Sequence, residues 1–198
     1  MKIAFLALQG DFAEHKQSFA SLGCECVELR QKKDLEQDLD ALVLPGGEST
    51  VQGKLLRDLK MLEPLKEKIV SGLPVMATCA GVILLAEKLV EDETIHFGVL
   101  SVHVRRNAYG RQLSSFYIRG NFGNLQNIPM SFIRAPRIEF CAPGTELLSE
   151  HEGRITAVRQ GNILGMTFHP ELTEDNRVSR YFLEQIVQPW RDSRKECV

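Results

Sequence analysis

The feature that most constrains this chain is a set of short, nearly unbroken apolar runs, each delivered into a turn of small residues. Residues 3–8 (IAFLAL) lead to Gly10, residues 41–44 (ALVL) open into Pro45-Gly46-Gly47, and residues 75–78 (VMAT) open into Cys79-Ala80-Gly81. A strand with one wet face alternates apolar and polar side chains. A strand apolar at nearly every position is buried on both faces, as in parallel sheets whose crossover helices cover both sides. The intervening segments supply such helices. Asp11 and Glu14 stand at capping-box spacing ahead of a segment carrying Phe12, Phe19 and Leu22 and ending at Gly23. Residues 26–29 (CVEL) read as a further strand, residues 62–71 as a helix ended by Gly72 and Pro74, and residues 82–86 (VILLA) as a buried helix. This alternation predicts a single-domain α/β fold: a doubly wound, mainly parallel sheet with helices on both faces.

The second half reads differently. Residues 99–104, 115–119 and 155–168 are β-like, with Gly161-Asn162 as a hairpin turn inside the last, which predicts an antiparallel extension of the sheet. A final helix is expected over residues 175–187, with Val178, Phe182, Leu183 and Ile186 on one side. The domain is expected to span residues 1–188, and the polar tail of residues 189–198, from Pro189 onward, to pack little. A length of 198 residues with 43% hydrophobic content closes a full core without metal or disulfide staples. Twenty-four basic against 26 acidic residues leave no basic field for a phosphate backbone, so nucleic acid is not expected as a partner. No stretch approaches the roughly 20 apolar residues of a membrane span, and the first run is too short for a signal peptide. The five cysteines are odd in number and unevenly spaced, which fits a reducing compartment; a cytoplasmic location is expected.

In open α/β sheets ligands bind beyond the carboxyl ends of the strands. Cys79, between small neighbours at a strand-to-helix turn, has the layout of a nucleophile elbow in thiol form. A sulfur there sits at the positive end of a helix dipole, which favours thiolate, and the Ala80 N–H is free to hold an oxyanion. The plainer reading of Cys79 is a small buried hydrophobe. Gly46 and Gly47 allow close backbone approach to a ligand, with Glu48 available for a cationic group; the alternative is a simple turn into a helix capped by Ser49 or Thr50. Of His15, His96, His103, His151 and His169, only His169 has a carboxylate at a telling spacing. Pro170 biases His169 to extended backbone, and Glu171 two residues on falls on the same side, giving a candidate Cys79-His169-Glu171 triad. Taken alone, His169 reads more readily as a strand-end histidine bonded to backbone, and the three coherent strand-end features together shift that reading. No metal-liganding pair of CxxC or HxxxH type occurs, and no metal site is expected.

Together, PGGES, the T-C-A-G elbow and HPE resemble the class I, triad-type glutamine amidotransferases. The blocks LALQGDFAEH (6–15), LPGGEST (44–50), RNAYGRQ (106–112), FIRAP (132–136), SEHEGRI (149–155) and FHPELTED (168–175) are similar, within that family, to glutaminase subunits of pyridoxal 5′-phosphate synthases. The resemblance implies hydrolysis of L-glutamine to glutamate and ammonia, with ammonia passed to a synthase subunit. Pyridoxal phosphate is then the product of the complex, and no cofactor is expected here. It further implies Cys79 as nucleophile, His169 as base and then acid, Glu171 as orienter, and an oxyanion hole from Gly47 and Ala80. The implied glutamine pocket comprises Gly46, Gly47, Glu48, Arg106, Ile133 and Arg134, with Arg105 beside Arg106 as the competing arginine. Gln9, Gly10 and Asp11, at the same sheet edge as Cys79, are expected to face the synthase. Two departures stand out: Ala77 where the family usually has Gly, and Val82 for a commoner Leu or Ile. Rival readings are a glyoxalase-like or other cysteine hydrolase, the glutaminase of a different synthase, and a catalytically idle assembly subunit.

Overall fold

The structure, a computed structural model, describes residues 1–106 and 115–196. Of the RNAYGRQ block only Arg106 falls within them, and Cys197 lies outside. Five strands form the parallel half of the main sheet: β1 (Lys2–Leu6), β2 (Glu25–Leu29), β3 (Ala41–Leu44), β4 (Val75–Thr78) and, much later in the chain, β12 (Ile163–Met166). They lie in the order β2-β1-β3-β4-β12, so the sheet is wound in both directions from β1 and β3. Alternate side chains feed two cores. Leu6, Leu42, Leu44, Val75 and Ala77 pack with Leu56, Leu65, Ile69 and Leu84 of the helices α2 (Ser49–Asp58), α3 (Leu62–Val70) and α4 (Ala80–Leu85). Ile3, Phe5, Ala41, Val43 and Met76 pack on the other face with Phe19 of α1 (Phe12–Ser21) and with Val178 and Phe182 of α5 (Arg177–Phe182). This two-sided burial is why the strands read as continuous apolar runs.

The antiparallel extension is present and larger than the sequence runs suggest. Strands β5 (Ala86–Leu89), β6 (Leu100–Arg105), β9 (Arg137–Cys141) and β11 (Arg154–Gln160) continue the sheet beyond β12, antiparallel except for the parallel β5–β6 pair at the edge, and β10 (Glu146–His151) pairs antiparallel with β11. β7 (Ser115–Phe122) and β8 (Leu125–Ile133) form a separate hairpin. β8 carries Pro129, which removes a donor and hides the strand from a propensity reading; its two-stranded setting tolerates the loss. The turn at Gly161-Asn162 joins β11 to β12 as expected, and Asn162 donates its side-chain amide to the Gly72 carbonyl at 2.8 Å, fixing the start of β12 beside β4.

Two local expectations need correction. Asp11 precedes α1, but its carboxylate makes no capping hydrogen bond and instead faces His169. The last helix does not stop near residue 187. It passes through a π turn (Leu183–Val187) into α6 (Gln188–Glu196). Pro189 has no N–H for the Gln185 carbonyl four residues back, and the Arg159 guanidinium donates to that oxygen instead, at 3.3 Å. The segment beyond Pro189 packs: Trp190 lies against the first core with Arg194 stacked 4.8 Å from its ring centroid, and Arg191 pairs with Asp40 at 2.9 Å. Among the described residues no helix is long and apolar enough to cross a membrane.

Phe19 is fully buried and meets Phe5 and Phe182 edge-on at 5.7 and 6.3 Å. Phe19→Ala is expected to lower the free energy of unfolding by about 3–5 kcal/mol. Val70→Ala, at a position 70% exposed, changes it by less than about 0.5 kcal/mol. Urea titration measures both, and equal effects would contradict the assignment of the second core.

Candidate active site

The carboxyl ends of β1, β3, β4 and β12 converge on a cavity of about 300 Å³. Its walls include Gln9, Gly10, Asp11, Gly47, Glu48, Cys79, Arg106, Ile133, Arg134 and His169, which are most of the residues singled out from the sequence. Ser49, Ile83 and Leu172 also line it. A larger cavity of about 660 Å³ lies at the opposite end of the sheet, beside Leu39, Leu73 and Trp190, away from every strand-end group that could do chemistry.

Cys79 occupies the turn between β4 and α4 at φ 47° and ψ −103°, the strained backbone of a nucleophile elbow. Its N–H donates to the Met166 carbonyl at 2.8 Å, so the turn is anchored to β12. Tight packing behind the turn needs Gly81, where a Cβ would lie 2.3 Å from the Leu44 carbonyl oxygen. Ala77 is fully buried in β4 and pairs with Gly165 of β12, where an added Cβ would meet Leu100, Val82 and Val158.

His169 follows β12, with φ −112° and ψ 88° as the next proline demands. Its backbone N–H donates to Ser131 of β8, so the strand that the sequence concealed also positions the histidine. Glu171 reaches the ring not along an extended strand but from a 3₁₀ turn (Pro170–Leu172). His169 Nδ1 donates to Glu171 Oε1 at 2.7 Å, and Asp11 Oδ2 stands 3.5 Å from the same nitrogen. The Nε2 atom has no hydrogen-bond partner of good geometry, although the Cys79 sulfur is close enough to act on the ring electrostatically. The thiol instead points to the Ile133 carbonyl at 3.9 Å. Catalytic hydrogen bonds are often this loose before substrate binds.

Charge follows from these contacts. Burial disfavours the protonated His169 ring, but Cys79 and Glu171 outweigh it and push its pKa up to about 10. Burial raises the Glu171 carboxyl, and His15 and His169 overcome that, so the net direction is down. Asp11 is raised by burial, with Glu171 and Glu14 adding to it and His169 opposing.

The glycine-rich loop is tightly held. Glu48 N–H donates to Gln9 Oε1 at 2.7 Å, Asp11 N–H donates to the Gly46 carbonyl at 3.2 Å, and the buried Gln52 amide donates to Gln9, Pro45 and Gly46 carbonyls. Gly47 has φ 144°, which an L side chain rarely adopts, and a Cβ on Gly46 would stand 2.3 Å from His169 Cε1. α2 does begin at Ser49, but no side chain caps it, and the Thr50 hydroxyl donates to Glu48 instead. The two arginines separate, but not by strand alternation: Arg105 ends β6 and Arg106 lies in the turn that follows it. Arg105 turns away to Glu139 and Glu91, while Arg106 reaches Glu48 and Asp92, both at 3.4 Å. Arg134, at φ 42°, makes no ion pair among the described residues. Asp11, His169 and Glu171 are the only described trio able to offer a metal three ligand atoms within 4.8 Å of one another, and a cation there would break the His169–Glu171 hydrogen bond.

A profile of the SNO glutamine amidotransferase family matches residues 5–188. The chain belongs to the SNO glutamine amidotransferase family. It is 56% identical over 186 residues to the pyridoxal 5′-phosphate synthase subunit PdxT of Desulfitobacterium hafniense strain Y51, covering 94% of each chain. It is 50% identical to PdxT of Streptococcus pneumoniae strain ATCC 700669, covering 92% of this chain and 96% of that one. A crystal structure described as a glutamine amidotransferase superposes with a TM-score of 0.88 at 44% identity, over 92% of this chain and 97% of that one. For an SNO family member the site shows two side chains that the strand-end reading passed over, His15 and Gln52. Both are polar, both are fully buried, and both stand on the first turns of helices that follow β1 and β3.

The raised His169 pKa carries a sign for stability. The interaction is complete below the unfolded-state value of 6.5 and is lost as pH rises through about 10. By NMR the His169 ring of the wild type is expected to titrate near pH 10, and at lower pH in Cys79→Ala. A wild-type midpoint near 6.5 would contradict the ion-pair arrangement.

Proposed function

We propose that this chain is the glutaminase subunit of a pyridoxal 5′-phosphate synthase, hydrolysing L-glutamine through Cys79, His169 and Glu171 and delivering ammonia to the synthase subunit. The observation that carries the reading is the meeting of a strained cysteine elbow, a carboxylate-bound histidine and a glycine-rich loop around one cavity. A ring that holds its proton at neutral pH beside the Cys79 sulfur is the counter-charge a thiolate needs. In the proposed sequence the thiolate attacks the side-chain amide carbon of glutamine, and the developing oxyanion is held by the Gly47 and Ala80 N–H groups. His169 gives its proton to the nitrogen as ammonia leaves. The neutral ring then takes a proton from water, whose hydroxide attacks the glutamyl thioester and expels the Cys79 thiolate, releasing glutamate. Glu171 holds the ring in one orientation through both steps.

Substrate recognition is assigned to Gly46, Gly47, Glu48, Arg106, Ile133 and Arg134. A guanidinium fork suits the α-carboxylate of glutamine, Glu48 suits its α-ammonium, and backbone groups at Ile133-Arg134 complete the clamp. The facing of Arg106 into the cavity, and of Arg105 away from it, favours Arg106. The domain is read as residues 1–188, with residues 189–198 as a polar C-terminal tail whose described part, to Glu196, continues α6. A cytoplasmic location belongs to the same proposal, supported by the free thiols of all four cysteines among the described residues, Cys24, Cys26, Cys79 and Cys141. No cofactor is assigned to this subunit. The face carrying Gln9, Gly10 and Asp11 is proposed as the synthase contact, because the Gln9 side chain holds the loop that must shape the oxyanion hole.

Glutamate release from L-glutamine, measured for the chain alone and with a pyridoxal phosphate synthase subunit, tests this directly. Release is expected to rise with the synthase and to fall to background in Cys79→Ser. A rate indifferent to the synthase would point to a different acceptor enzyme, and no release from folded, reduced protein would favour an assembly subunit. Calorimetric titration of Gln9→Ala with the synthase is expected to show weakened binding; wild-type affinity would remove Gln9 from the interface.

A further inference from the structure

Behind the triad lies a buried histidine that the reaction sequence above leaves without a role. His15 stands on α1, one turn after Asp11, with its ring completely enclosed. Its Nε2 lies 3.3 Å from Glu171 Oε2 and 3.0 Å from Thr78 Oγ1, the residue immediately before the nucleophile. Glu171 Oε1 is already engaged by His169, while Oε2 is buried without a hydrogen bond of good geometry, and the imidazole that bonds Thr78 stands beside it at 3.3 Å. We propose that His15 is a positioning residue of the glutaminase, fixing the second carboxylate oxygen of Glu171 and tying it to the strand that delivers Cys79.

The protonation pattern fits. His15 Nδ1 has no partner among the described residues, so the single proton of a neutral ring belongs on Nε2, between the two oxygens. Burial keeps the ring neutral; Glu171 pulls the other way, His169 adds to burial, and Asp11 and Glu14 are the remaining charged groups that face it. A neutral donor holds the carboxylate in one plane without cancelling the charge that His169 needs. Packing alone would be met by an apolar side chain at this position.

This assignment rests on the glutaminase reading of the triad, and the experiment separates the two. Steady-state glutaminase kinetics of the complex with the synthase subunit are compared for wild type, His15→Leu and His15→Gln, with thermal melting of each. His15→Leu is expected to lower kcat by about 10- to 100-fold. KM stays unchanged, since His15 does not line the cavity. The acid limb of the pH profile moves up by about one unit, because a carboxylate that has lost its donor holds a proton more tightly. His15→Gln keeps a donor near the position of Nε2 and recovers most of kcat. Wild-type kcat and acid limb in His15→Leu, or a Gln variant that is folded but no better than Leu, overturns the assignment. If the Leu variant does not fold, His15→Asn replaces it, carrying its amide too short to reach Oε2 and with the same expected losses. Absence of glutamate release by the wild-type complex overturns the glutaminase reading itself, and this assignment with it.

Discussion

The backbone at Cys79 holds φ 47° and ψ −103°, a conformation that costs an L-residue about 1–3 kcal/mol, and the parallel sheet on either side of β4 keeps it there. β3 and β12 flank β4 in register, the Cys79 N–H is taken by Met166, and the short helix α4 behind the turn is buried at all six positions against the first core. Because β12 is bonded to the same strand, the end that carries His169 is fixed relative to the sulfur. Because β3 is bonded on the other side, so is the Gly46-Gly47 loop. One strained turn thus has a histidine brought to it by one neighbour and a glycine-rich loop by the other.

Electrostatics inside this frame depend on pairing more than on exposure. Glu171 and His15 are both enclosed, and an isolated charge at either position would be costly. The layout avoids isolation: His169 shares its proton-bearing Nδ1 between Glu171 and the more distant Asp11, and Arg106 lies between Glu48 and Asp92. The result is a cavity with one protonated ring facing a thiol on its inner wall, and with arginine and glutamate toward its rim.

Much of this was legible in the sequence because two-sided burial leaves a strong trace. The runs at residues 41–44 and 75–78 coincide with β3 and β4, and the functional groups follow directly where a strand ends. HPE was legible for a different reason, since the proline restricts His169 and sets Glu171 close by in sequence. What stayed hidden was set by tertiary contact. β8 contains Pro129 and mixed polarity, yet its Ser131 carbonyl holds His169. The capping spacing of Asp11 and Glu14 was present, but the neighbouring His169 drew the carboxylate away. Pro189 suggested an end to the last helix, whereas a π turn and Arg159 absorbed the missing donor. His15 reads as one polar residue on an amphipathic helix, and only the fold brings it against Thr78 and Glu171.

The central claim is that Cys79 is the nucleophile that glutamine meets in this cavity. Treating the reduced protein, with its synthase subunit, with a diazoketone analogue of L-glutamine and mapping the adduct by peptide mass spectrometry tests it most directly. The account predicts one covalent adduct, on Cys79, that excess L-glutamine prevents and that Cys79→Ser abolishes. An adduct on Cys24, Cys26 or Cys141 with Cys79 untouched, or labelling that L-glutamine does not slow, would contradict it.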